Sequence, residues 1–166
     1  MPARTPASKP GKPRDPNAPP KPKRPRDELG RPLAHEEENT LQLEDYDSLS
    51  LEENHRLGIR HFDAQRFFPA HEAWETCWKQ AKGTGDAEFF KGLSQLGAGY
   101  VHLLRGNSHG AHTLLRRGAG RILSYPSSHH RVDVEALGKA ALLHAGYIEQ
   151  AEKSGQAVPS VEFPRI

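Results

Sequence analysis

The segment Pro69-Ala70-His71-Glu72-Ala73-Trp74-Glu75-Thr76-Cys77-Trp78-Lys79-Gln80-Ala81-Lys82 carries the signal that sets the fold class. Pro69 suits the first turn of a helix, where a missing backbone N–H is no loss. Gly83-Thr84-Gly85-Asp86 supplies the break at the other end. Placed on a wheel at about 100° per residue, His71, Trp74, Glu75, Trp78 and Lys82 share one face. The spacing predicts a helix over Pro69–Lys82. A face that only packs would be apolar, yet here a His and a Glu sit one turn apart between two indoles. Poorly hydrated, such a pair must bond to each other, to other polar groups or to an ion.

The flanking sequence repeats the helical pattern. Ser50 and Glu53 form a capping box for a helix over Leu51–Gln65. Asp86 is placed to cap a third helix, Ala87–Arg105, which carries Phe89, Leu93, Leu96, Tyr100, Leu103 and Leu104 and ends at Gly106-Asn107. Ser108 precedes a fourth, His109–Ser124, stopped by Pro126, and Asp133 caps a fifth, Val134–Lys153. No alternating apolar run of strand length occurs. The expected fold is all-α: a single compact bundle of about five mostly antiparallel helices over residues 49–155, with a disordered basic N-terminal arm. Residues 1–48 read as a disordered or extended arm, basic then acidic, with Leu33, Leu41, Leu43 and Tyr46 able to lie as a strap. Residues 156–166 read as a tail packed back on the bundle.

Composition supports this division. The chain has 166 residues, of which 35% are hydrophobic, and Met1 is the one large apolar residue before Asp27. The net charge of +2 hides an asymmetry: a Lys- and Arg-rich start, then Glu36 to Glu53 with no Lys or Arg between Leu33 and His55. Cys77 is the single cysteine, so no internal disulfide forms. No apolar run reaches the roughly eighteen residues that span a bilayer, and no secretory signal is evident at the N-terminus. A cytoplasmic protein without a membrane partner is expected.

The third helix offers partners for His71 and Glu75. Gln95 and His102 lie two turns apart on one stripe, with Gly92 and Gly99 allowing a neighbouring helix close. His71, Glu75, Gln95 and His102 are expected to converge between the second and third helices. One reading is a small catalytic site in which Glu75 orients His71 as a general base. A related one is a divalent metal, Zn²⁺, Mn²⁺ or Fe²⁺, on His71, Glu75 and His102. The zincin pattern His-Glu-x-x-His is absent. The structural alternative is a hydrogen-bond network that sets the register of two helices. Trp74, Trp78 and Cys77 read as packing residues. His109 and His112 share an exposed helix face, and His129-His130 lies in a loop as a plain turn or a weak metal site.

Two partner readings stand beside these. Residues 1–27 could follow nucleic-acid phosphates, although they lack aromatics for base stacking, and a plain solvating tail fits as well. Gly118 and Gly120 on the fourth helix would permit a close contact with a second copy, leaving monomer or homodimer open.

Phe62-Asp63, Phe67-Phe68, His71-Glu72-x-Trp74-Glu75-x-x-Trp78, Lys91-Gly92-Leu93-Ser94-Gln95-Leu96, His102, Arg105-Gly106-Asn107 and Gly110-Ala111 follow one another in an order that resembles domain-of-unknown-function family 309. The similarity covers about Gly58 to Leu123. The lead-in from Arg24 to Leu33 is also similar to the actinobacterial branch. The resemblance implies a small helical bundle and draws attention to His71, Glu75, Trp78, Gln95 and His102; it supplies no activity. The sequence departs from the pattern at Asp63, where Asn is usual, and at Ser94, where an aliphatic residue is usual, and both departures are expected to lie outside the site.

Overall fold

The computed structural model describes residues 24–166. Five helices follow in chain order: α1 (Leu51–Asp63), α2 (Phe67–Gln80), α3 (Ala87–Leu104), α4 (Ser108–Ile122) and α5 (Val134–Ser154). Each packs on the next, giving the helical bundle that the sequence leads one to expect. Between α4 and α5 lies a hairpin of two two-residue strands, β1 (Ser128–His129) and β2 (Val132–Asp133), paired antiparallel.

Local chemistry explains the element ends. The Ser50 hydroxyl accepts from the Glu53 N–H while the Glu53 carboxylate accepts from the Ser50 N–H, a complete capping box. Asp133 caps α5 through the Ala136 N–H. Asn107, not Ser108, caps α4, accepting from the Gly110 N–H. α2 begins at Phe67, so Pro69 is its third residue. That position is still within the first turn, where no intrahelical partner is lost.

The core is built on aromatic and aliphatic side chains that face inward from all five helices, among them Phe62, Trp74, Phe89, Phe90, Tyr100, Leu115 and Ile148. The α3–α4 contact is the tightest. A Cβ on Gly118 would lie 2.8 Å from the Gly92 carbonyl oxygen, and one on Gly92 would lie 2.8 Å from Ile122 Cγ2. Gly92 and Gly99 thus serve α4, whereas Gly97 lets α3 approach α2, its ideal Cβ position 3.1 Å from the His71 nitrogen. Gly118 is filled from within the chain; among the described residues nothing comes within 4 Å of an ideal Cβ on Gly120.

The basic-arm reading, and the nucleic-acid reading attached to it, fall mainly on residues 1–23, outside the described residues. Arg24 to Ser48 runs over the bundle. Arg26 and Pro32 form an isolated bridge, and the Leu33 N–H donates to the Pro25 carbonyl at 2.8 Å. Gly30, at φ +73°, rests against the Phe68 ring, and the Arg105 guanidinium donates to the Leu29 carbonyl. Leu41 and Tyr46 are buried, Tyr46 in a short 3-10 turn, Tyr46–Ser48. At the other end, Phe163 packs against Phe67 and Tyr100 with ring centroids 5.0 and 5.5 Å apart, and the Ile166 N–H donates to Asp63. Among the described residues, no helix is long and apolar enough to cross a membrane.

Candidate functional site

Close approach at Gly97 and the small side chain of Ser94 bring α3 against the start of α2, and His71 sits in that contact. His71 Nδ1 lies 3.0 Å from the Ser94 carbonyl oxygen and 2.9 Å from its hydroxyl oxygen, while that hydroxyl donates to the His71 carbonyl at 3.3 Å. A carbonyl can only accept, so Nδ1 donates to it, which leaves Nε2 as the ring nitrogen that faces outward. Nε2 points to two carboxylates, Glu75 at 3.4 Å and Glu72 at 3.7 Å. Glu75 also accepts from Lys79 at 2.8 Å; that bond, with the neighbouring His71 charge, holds its carboxyl below the usual range despite partial burial. The side chains of His71, Glu72 and Glu75 are partly exposed, at 23%, 35% and 33%. Their ligand atoms all lie within 4.8 Å of one another, a spread compatible with one cation.

The structure brings His71 and Glu75 together as the sequence suggests, but the other two candidates lie apart. The Gln95 carboxamide oxygen accepts from Arg121 Nε at 3.0 Å on the α4 side of α3. His102 Nδ1 accepts from the Asn107 side-chain amide at 3.0 Å. Burial, aided by the charges of Arg105 and His71, pushes the His102 pKa down. Among the described residues, neither Gln95 nor His102 hydrogen-bonds to His71 or Glu75. α3 contributes Ser94 instead, one of the two positions where the chain departs from the family pattern and one expected to lie outside the site. Its hydroxyl was the available signal, since a polar side chain at an aliphatic position needs a partner.

The two indoles separate. Trp74 is fully buried against Gly58 of α1 and donates from Nε1 to His55 Nδ1 at 3.0 Å. Trp78 is half-buried, with the Lys82 and Lys91 ammonium groups 5.3 and 5.0 Å from its ring centre. Cys77 is buried, and burial pushes its thiol up to about 12, as befits a packing residue.

Two further groups of ligand-type side chains are present among the described residues. His112 is buried, contrary to the exposed face expected for it, and lies 2.6 Å from Glu152 of α5; His109 remains exposed, 3.6 Å from the same carboxylate. Asp86 lies between the two hairpin histidines, 2.8 Å from His129 and 2.9 Å from His130. Glu72, Asp86 and Glu152 are absent from the sequence-based set because their partners come from distant chain positions or from a neighbour whose direction only the helix fixes.

No curated protein and no solved structure matches the chain. The family model of DUF309, a domain of unknown function, matches residues 55–114, a span that runs from α1 into α4 and contains His71, Glu72, Glu75 and Ser94.

Proposed function

We propose that this protein is a divalent-metal-dependent, hydrolase-like enzyme whose cation sits between His71 Nε2 and the carboxylates of Glu72 and Glu75. One observation carries the reading: with Nδ1–H engaged by Ser94, Nε2 faces two carboxylates across 3.4 and 3.7 Å. Once Nε2 gives up its proton, three electron-rich groups are so placed that a metal cation can take the proton's position between them. Tetrahedral bonds of about 2.0–2.2 Å would set the ligand atoms about 3.3 Å apart, close to the separations present. Ser94 has the role that a backbone carbonyl or carboxylate has beside metal-binding imidazoles, fixing tautomer and ring direction. One imidazole and two carboxylates are a ligand set that Mn²⁺, Fe²⁺ and Zn²⁺ all accept. The ion would supply Lewis acidity and an acidified water. The chain supplies the orientation of His71 and the anionic Glu75.

A non-catalytic reading draws on the Lys79–Glu75 contact of 2.8 Å: the His71–Glu75–Lys79 row would then be an ion-pair network that sets α2 on α3. Titration with Mn²⁺, followed by loss of the free-ion electron paramagnetic resonance signal, separates the two. The enzyme reading expects, in an Asp86→Asn background that removes the hairpin cluster, a site weakened at least tenfold by Glu75→Gln and by His71→Ala in chains of unchanged circular dichroism. Equal affinity in all three chains, or no binding in any, would overturn it.

A further inference from the structure

The hairpin between α4 and α5 holds a second arrangement, unrelated to the α2 cluster. His129 Nε2 lies 2.8 Å from one oxygen of Asp86 and His130 Nε2 lies 2.9 Å from the other. Adjacent residues on a strand point to opposite faces. Here the two-residue loop His130-Arg131, both residues at positive φ (46° and 62°), turns both imidazoles onto one carboxylate.

The carboxylate is free to receive them because the helix it begins is satisfied elsewhere. Asp86 occupies the N-cap position of α3 and makes no side-chain cap bond. The Phe89 N–H, which an N-cap aspartate would take, donates to the Tyr125 hydroxyl at 3.1 Å, and that hydroxyl donates to the Gly85 carbonyl at 2.6 Å. The loop backbone is pinned from below: His55 Nε2 donates to the His130 carbonyl at 2.8 Å while its Nδ1 accepts from Trp74. Phe89 meets His129 edge-on at 4.8 Å between centroids, and Phe90 meets His130 at 5.2 Å, forming an apolar wall behind both rings. The outer side is open, with 24%, 32% and 36% of the His129, His130 and Asp86 side chains exposed.

We propose that Asp86, His129 and His130 form a Zn²⁺ site with its fourth position open to water or a small anion. Two imidazoles and one carboxylate are a ligand set that late first-row divalent ions prefer, and the three ligand atoms lie within 4.8 Å of one another. The two imidazoles now meet different oxygens of Asp86, at 2.8 and 2.9 Å; ligand atoms about 3.3 Å apart around one ion, in place of the protons, would need small side-chain adjustments. The aromatic wall and the His55 bond to the loop hold the ligands in place, as outer groups do around metal centres.

The test is a Zn²⁺ titration of the full chain, made without a histidine tag and in the His71→Ala/Glu75→Gln background that silences the α2 cluster. Calorimetry should lose one equivalent, or weaken it at least tenfold, in Asp86→Asn and in His130→Asn. Unchanged stoichiometry and affinity in both would overturn the site. Because a hairpin variant can disturb the fold, the unmutated hairpin gives an independent readout: the imidazole nitrogens of His129 and His130 should shift together in nitrogen-15 spectra within the first equivalents of Zn²⁺. Signals that stay in place through saturation would refute the proposal whatever the variants do.

Discussion

Ser94 links α3 to His71 through three contacts, and its loss should separate ligand orientation from ligand identity. Ser94→Ala keeps the carbonyl that accepts from Nδ1 but removes the hydroxyl. Mn²⁺ affinity should fall by about 10–100-fold, the usual effect of disturbing a group that orients a ligand. A fall in melting temperature with unchanged metal affinity would assign Ser94 to packing alone. Other histidines set the acid sensitivity. His55 and His144 are buried, and burial depresses both pKa values, so the unfolded chain binds protons there that the folded chain refuses. Their contribution is fully present above the ordinary imidazole pKa and is lost as pH falls below it, before the carboxylates titrate. The melting temperature should therefore decline from pH 7 to pH 5. His144→Gln, which can still accept from the Tyr100 hydroxyl now 2.8 Å from Nδ1, should flatten that decline. Parallel curves for the two chains would show that His144 does not contribute to it.

Helix caps and helix contacts divide the glycines and aspartates of this chain into pairs with opposite behaviour. Among the described residues a Cβ on Gly120 meets nothing within 4 Å, so Gly120→Ala should stabilise by up to about 1 kcal/mol through helix propensity. Gly118→Ala gains the same propensity but sets a Cβ 2.8 Å from the Gly92 carbonyl, a backbone atom that cannot swing aside. It should destabilise, and denaturant unfolding of the two variants gives the comparison. Asp133→Ala should cost about 1 kcal/mol through its lost cap bond to Ala136. These contrasts also mark how far element-level reading of sequence extends. Helix starts, the capping box and the α5 cap were legible because each depends on a few consecutive residues. That Asp86 gives up its cap to Tyr125 was not legible, since Tyr125 reaches Phe89 from beyond α4.

Chain segments outside the bundle are tied to it at few points, so they should release separately from the core. Gly30 sits at φ +73° with its ideal Cβ position 2.2 Å from the Phe68 ring. Gly30→Ala should free the Arg24–Leu43 run, giving faster amide exchange there while α3 and α4 keep theirs. Exchange that rises equally throughout would mean that the run and the bundle unfold as one unit.

Amino-acid order alone was enough for five helices, their approximate ends, and a His71–Glu75 pair one turn apart, because periodicity, caps and i,i+4 neighbours are local properties of the chain. It also marked Gly92 and Gly99 as places where a neighbouring helix comes close, whereas Gly118, read with Gly120 as a face for a second copy, is met by α3 of the same chain. Tertiary packing chose which helix fills each of them, turned Trp74 toward α1 and Gln95 toward Arg121, and put Ser94 beside His71. It also joined Asp86 to His129 and His130 across more than forty residues of chain. These pairings follow from the rotation of each helix about its axis and from the direction of a two-residue loop. Both are fixed by the combined packing of all five helices, which no local stretch of sequence encodes.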